Sequence, residues 1–331
     1  MSSPVSLRSG VWFQGGLDVK TTTELAVRAE AAGADCVWVA EGPIARDAFI
    51  ALSSIAVATE RVSLATGVVN PFTRHPAQLA ASFASLDELS RGRAVCGIGI
   101  GARDGLIPLG ADVSKPLAAA RETIVIVRRL LARENVVIDG KVFDLHNVRL
   151  GFRPAREDVP IYLAATGPKM CALAGKEADG IYLMYGTRNY VQTSLQRALD
   201  SREADPHLRV ASPIPVGVDS GDESSKFRLK VAIGLMLTEP NGEGMLAAND
   251  VEPEHAQRIR DGLAQGGIKG LGASLDDVIL DRLAIYGAHS ACVERLQEAA
   301  SWGINEPQIL LAGDDPAPAL AVLRDFRSAS V

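Results

Sequence analysis

Glu41 closes the apolar run VWVAEG and is the first candidate for acid–base chemistry. In a cleft, desolvation would raise its carboxyl toward general-acid use; an ion pair with Arg46 or Arg74 would make it structural, and the sequence leaves both open. A second stretch, ATGPKM, sets small residues before a proline at a helix start. The backbone N–H groups of Ala165, Thr166 and Gly167 would face an anion there, with the helix dipole behind them. Lys169 then stands in the first helical turn, where a cation is disfavoured unless a negative group is near, so it reads as a phosphate contact or as a solvated side chain. Arg46, Arg74, Arg103, Lys169 and Arg188 each follow an apolar run. That basic ring suits an anionic ligand, unless Glu41, Asp47 and Asp104 pair with it.

The third stretch, GRAVCGIGIGARDG, carries G-x-G-x-x-A from Gly97. A dinucleotide fingerprint needs a helix to open at those glycines and an acid about twenty residues on. The following RDGLIPLGADVSKP shows no helical periodicity before Lys115, and Leu117 to Ala120 stand where the acid belongs. Gly97, Gly99 and Gly101 therefore serve either tight packing at a strand end or the approach of a flat ring.

The elements that must position these residues alternate. Eight apolar, β-branched runs stand at 9–14, 35–40, 62–68, 94–99, 159–165, 179–185, 214–218 and 306–312, the seventh weak. Helical stretches separate them, and in the third of these Leu79, Phe83 and Leu86 form an i, i+4, i+7 stripe. Parallel strands joined by crossover helices follow, and eight such units predict a (β/α)8 barrel filling residues 1–331 as one domain, with chemistry at the C-terminal strand ends. Residues 135–150 alternate around a D-G turn and read as a hairpin-like excursion, a lid or rim. Residues 238–272 are glycine-rich and acidic and read as an insertion before the last unit, with one helix near Glu252 to Ala264.

Composition narrows the classes. A net charge of −6 argues against nucleic acid, and the five histidines show no metal spacing. Neither a signal peptide nor a membrane span is visible, so the expected location is the cytoplasm, with no membrane partner. Cys36, Cys96, Cys171 and Cys292 are far apart and read as buried free thiols, Cys292 on a helix. Tyr162, Tyr182 and Tyr185 read as core or ring contacts.

The segment TGVVNPFTRHPAQLAASFASLDELSRGRAVCGIGIG, residues 66–101, resembles the core signature of the luciferase-like flavin-dependent oxidoreductases, above all their deazaflavin (coenzyme F420) branch. Residues 162–183 resemble the matching segment of F420-dependent methylenetetrahydromethanopterin reductases, and 281–305 the family's closing helix. The resemblance implies a TIM barrel of the bacterial-luciferase type, binding F420, or alternatively FMN, at its C-terminal mouth. The cofactor would lie against Gly67, Val68, Asn70 and Arg74 after strand three and against Gly99, Ile100 and Gly101 after strand four. Ala164, Ala165, Thr166, Gly167 and Lys169 would hold it from the fifth loop. A cis peptide is implied between Gly67 and Val68, as are a homodimer and hydride exchange with a small organic substrate. Many F420 enzymes of this family carry Asp-His after strand two, where this chain has Glu41 and Gly42; Gln14 and Ala102 replace acids found in relatives. Glu41 is left as the proton-transfer candidate. The other readings are an FMN-dependent monooxygenase and a non-catalytic flavin or deazaflavin binder.

Overall fold

The computed structural model describes residues 6–101, 103–203, 208–219, 221, 223–238, 242–311 and 315–329, without the side chains of Arg103, Asp104 and Glu223. Its strands are β1 (Gly10–Phe13), β2 (Cys36–Val39), β3 (Ser63–Thr66), β4 (Ala94–Ile98), β5 (Val136–Asp139), β6 (Asp144–Val148), β7 (Ile161–Ala164), β8 (Gly180–Tyr182), β9 (Arg209–Val218), β10 (Ile285–Gly287) and β11 (Glu306–Leu310). Strands β1, β2, β3, β4, β7, β8, β9 and β11 pair in parallel in that order, and β11 returns to β1, which closes the expected eight-stranded barrel.

The crossover helices are α1 (Val19–Ala31), α2 (Ala48–Ala58), α3 (Pro76–Leu89), α4 (Arg103–Leu106), α5 (Pro116–Leu131), α6 (Pro168–Glu177) and α7 (Arg188–Leu199). An inserted group follows: α8 (Glu223–Thr238), α9 (Gly242–Ala248), α10 (Glu254–Ser274) and α11 (Asp277–Leu283), before α12 (His289–Ser301) and α13 (Ala317–Ser328). Starts are chemically marked. Asp18 and Asp47 accept from the first backbone N–H groups of α1 and α2, and Pro76 and Pro116 open α3 and α5. No helix among the described residues is long and apolar enough to cross a membrane.

Alternation along the strands sorts two cores. Trp12, Trp38, Ala65, Val95, Tyr162, Tyr182, Ala211 and Leu310 fill the barrel, while Val11, Val37, Leu64, Cys96 and Ile309 face the helices. Leu79, Phe83 and Leu86 are buried in that outer layer. All four cysteines are free and buried, with Cys292 on α12.

Three readings need correction. The seventh strand starts at Arg209, five residues earlier than expected, because Pro213 and Pro215 sit at alternate positions and leave Ser212, Ile214 and Val216 with their donors. A helical turn, α4, does open after strand four, though Gly110 at φ 78° ends the 3-10 turn behind it. The insertion holds several helices instead of one. Its glycines serve contact: Gly267 at φ 56° folds α10 back so that Gly262 and Gly270 meet backbone to backbone, and Gly234 lies under Leu271. The excursion is a β5–β6 hairpin whose turn is fastened to α5, Glu122 accepting from the N–H groups of Lys141, Val142 and Phe143 at 2.7, 3.0 and 2.9 Å.

At the N-terminal end of the barrel, Glu306 is buried and accepts from Trp38 Nε1 at 3.1 Å and Tyr162 Oη at 3.2 Å, with Arg8 at 3.7 Å. Burial, with the Glu306 charge adding to it, pushes the Tyr162 phenol far above its ordinary range, so it stays a donor. A Glu306→Ala variant leaves two buried donors unpaired at about 1–3 kcal/mol each. Urea melts should show a lower midpoint at unchanged slope, with Glu306→Gln losing less; an unaltered midpoint in Glu306→Ala would contradict this role.

Candidate active site

The C-terminal strand ends converge on the bulge after β3. The Gly67–Val68 peptide is cis. Trp12 Nε1 donates to the Gly67 carbonyl at 3.2 Å, and Val69 pairs with Ile98, extending the β3–β4 ladder past the bulge. The three glycines that follow do three different things. A Cβ on Gly97 would run into the Thr66 carbonyl and the Trp38 ring, so this glycine lets strands approach. Gly99 faces Val68 and Ala164: a Cβ there would lie 2.5 Å from Val68 Cγ2 and 3.1 Å from Ala164 Cβ. Gly101 has φ 66° and lies beside Asn70.

Val68, Gly99 and Ala164 thus come together at the ends of three strands, with Gly99 buried and Val68 and Ala164 forming a partly exposed small-residue surface. Asn70 is buried and its Oδ1 accepts from Phe72 N, Thr73 N and the Thr73 hydroxyl at 3.0, 3.0 and 3.2 Å, which shapes the loop that carries Arg74. Ile100 is not part of this surface and packs on the outer core.

Glu41 is not free. Arg74 grips it at two points, Nε to Oε1 at 3.0 Å and Nη2 to Oε2 at 3.1 Å, and Ala48 N donates to Oε2 at 3.1 Å. Its side chain is 6% exposed. Arg74 also reaches Asp47 at 2.6 Å and covers the Phe49 ring at 5.3 Å. The Glu41 carboxylate, with Asp47 adding, pushes the guanidinium well above its ordinary value. Burial would raise the Asp47 carboxyl, but Arg74 and the α2 amides outweigh it and hold it below the usual range. The ion pair left open by the sequence is therefore made, and with Arg74.

The rest of the basic ring divides. Arg46 donates to the carbonyls of Gly15 and Gly16 at 3.4 and 3.0 Å and Arg188 to Gln192, while Lys169 is exposed. The side chains of Arg103 and Asp104, and all of Ala102, lie outside the described residues. At the fifth loop the expected trio of amides shrinks to two, because Ala165 N donates to Tyr182 O at 3.1 Å as part of the barrel. Thr166 and Gly167 N–H have no partner among the described residues. They open the ten-residue helix α6, whose first turn holds Pro168 and Lys169 and no acid, an arrangement suited to an anion.

Two features escaped the sequence reading. Glu306, another carboxylate in an apolar strand, carries the same signal as Glu41. Asn249 of the insertion reaches the rim and accepts from Thr187 N at 2.7 Å at the start of α7; nothing local marks it.

The family model described as luciferase-like monooxygenase matches residues 5–306. The 5,10-methylenetetrahydromethanopterin reductase of Methanolobus tindarius is 29% identical over 314 residues, covering 93% of this chain and 94% of that one. An F420-dependent glucose-6-phosphate dehydrogenase of Intrasporangium calvum is 28% identical over 313 residues and 88% of both chains. Among solved structures, the coenzyme F420-dependent tetrahydromethanopterin reductase of Methanopyrus kandleri superposes with a TM-score of 0.86 at 21% identity, covering 97% of this chain and 98% of that one. With a closed parallel barrel, the small-residue surface at its mouth and a family match across most of its length, the chain belongs to the luciferase-like family.

Proposed function

We propose that this protein is an F420-dependent oxidoreductase that exchanges a hydride between the deazaflavin and a small organic substrate. The observation that carries the reading is the convergence of Val68, Gly99 and Ala164 beside the free amides of Thr166 and Gly167: a flat apolar seat next to an anion site. A side chain at position 99 would collide with Val68 and push it outward, so Gly99 lets Val68 and Ala164 lie close to β4 as the backing that a planar ring with a phosphate-bearing tail would need. The similarity to reductases and dehydrogenases named for F420 supports deazaflavin over FMN. When bound, the deazaflavin supplies hydride exchange at its C5.

The protein's part is to bind, orient and exclude water. Val68 and the Trp12-held Gly67 carbonyl back the ring; Thr166 and Gly167 hold phosphate, with exposed Lys169 adding charge. Glu41 is the group the sequence puts forward for proton transfer. Its three hydrogen bonds support a different first role, holding Arg74 toward the mouth as a positioning residue. The four free thiols suit a reducing compartment, the cytoplasm.

We also propose a homodimer through α2. This helix, AFIALSSIAVA, has no charged residue and leaves Ile50 and Val57, two turns apart, 60% and 72% exposed, with Ile44 beside it at 89%.

Two experiments test these readings. Equilibrium titrations should give tighter binding of oxidised F420 than of FMN, weakening as salt rises, and the protein should not raise oxygen consumption by reduced FMN above its uncatalysed autoxidation. Tighter FMN binding with oxygen uptake would make the protein a monooxygenase, and binding of neither would overturn the assignment. In the same assays Glu41→Gln should weaken F420 binding several-fold and leave the pH profile of turnover unmoved. Unchanged affinity with lost turnover and a lost pH limb would instead restore Glu41 as the proton donor. Sedimentation should give a dimer that Ile50→Asp with Val57→Asp converts to a folded monomer; a wild-type monomer would remove the interface.

A further inference from the structure

The helical insertion is tied to the barrel mouth by one buried amide. Helix α9 gives way at Asn249, where Asp250 turns left-handed at φ 58° and Arg282 of α11 donates to the carbonyls of Asn249 and Asp250 at 2.7 and 2.6 Å. The Asn249 side chain is fully buried and both ends of its amide are used. Nδ2 donates to Met245 O at 2.8 Å inside the insertion, and Oδ1 accepts from Thr187 N at 2.7 Å across to the barrel. A flipped amide would set donor against donor at Thr187, so the two bonds fix its orientation. Gly186 leaves the space that Asn249 fills, since a Cβ there would run into Oδ1.

The segment held in this way borders the candidate ring seat. Ala164 of the seat pairs with Tyr182 in the β7–β8 ladder. Met184, two residues further on and so on the same face as Tyr182, packs on the interior cluster that Val68 and Ala164 flank. Met184 also packs on the core of the insertion. The rim from Met184 to Thr187 is therefore gripped by the insertion at both ends, by apolar contact at one and by the Asn249 hydrogen bond at the other.

We infer that Asn249 is a positioning residue for the cofactor: it fixes the β8 rim beside Ala164, and through that rim the insertion sets how firmly F420 is retained. The inference rests on the F420 reading above, which puts the ring on Val68, Gly99 and Ala164. A rim held in place beforehand loses no freedom when the ring arrives, whereas a loose one must be ordered at that moment, which weakens binding and speeds release.

The test follows F420 binding and release by fluorescence in the full-length protein. Asn249→Ala should raise the dissociation constant about fivefold, through faster release. Asn249→Asp keeps an acceptor for Thr187 N at the start of α7 and should restore most of the affinity. Gly186→Ala should weaken binding from the barrel side of the clamp, and the Gly186→Ala, Asn249→Ala double variant should be no weaker than Asn249→Ala alone, because the added Cβ then has room. That pair keeps the test valid if one single variant folds poorly. Glu306→Ala is the control for general destabilisation: it lowers the urea midpoint from the far end of the barrel and should leave F420 affinity unchanged. Wild-type affinity in Asn249→Ala, or an equal loss in Glu306→Ala, would overturn the inference and leave the cofactor reading intact. Wild-type protein that binds no F420 would overturn the cofactor reading and this dependence with it.

Discussion

Strands β3 and β4 are clasped by one hydroxyl: Thr66 donates to the Gly97 carbonyl at 2.7 Å and accepts from the Gly97 amide at 3.1 Å. The clasp requires glycine at 97, since any side chain would meet the Thr66 carbonyl and the Trp38 ring. Once the strands are that close, the chain leaves β3 as a bulge, and Val69 rejoins β4 through Gly97 O and its own carbonyl at 3.0 and 2.9 Å. Val68 is thereby placed opposite Gly99, and Ala164 of the next strand completes the surface. What looks like a phosphate-binding fingerprint is the trace of this packing problem, with three glycines solving the close approach of strands, the packing of Val68 and Ala164, and a left-handed turn in succession.

Charge organises the rim beside that surface. Arg74 is a single cation shared by two carboxylates and an aromatic ring, and the carboxylates come from the end of β2 and the cap of α2. A pair so enclosed gains Coulomb energy only by giving up hydration, so its value lies more in fixing geometry than in stability. It ties the bulge loop to its neighbour and leaves the free amides of the fifth loop, on the other side of the seat, as the open positive feature. In the proposed function, anion and ring would be held at different strand ends, without a helix opening at Gly97.

The barrel was legible because buried parallel strands are continuous apolar runs and their helices carry one apolar stripe; both signals are local. Partners distant in sequence were not. Arg74 lies 33 residues from Glu41, and Glu306 lies 268 and 144 residues from Trp38 and Tyr162, so only barrel closure decides which alternative each carboxylate adopts. The insertion misled for the opposite reason. Its glycines and acids have loop composition, yet Gly234, Gly262 and Gly270 are where helices touch, and helix stability there comes from packing over propensity. In β9, two prolines disguised a ten-residue strand whose alternate donors were intact.

The central claim is that a deazaflavin ring lies on the Val68–Gly99–Ala164 surface with its phosphate on the fifth-loop amides. A crystal structure of the protein grown with F420 tests it most directly. The account predicts ring density against those three residues and a phosphate oxygen within about 3 Å of the Thr166 and Gly167 nitrogens. Clear F420 density elsewhere on the barrel, or a phosphate held by side chains away from α6, would contradict it.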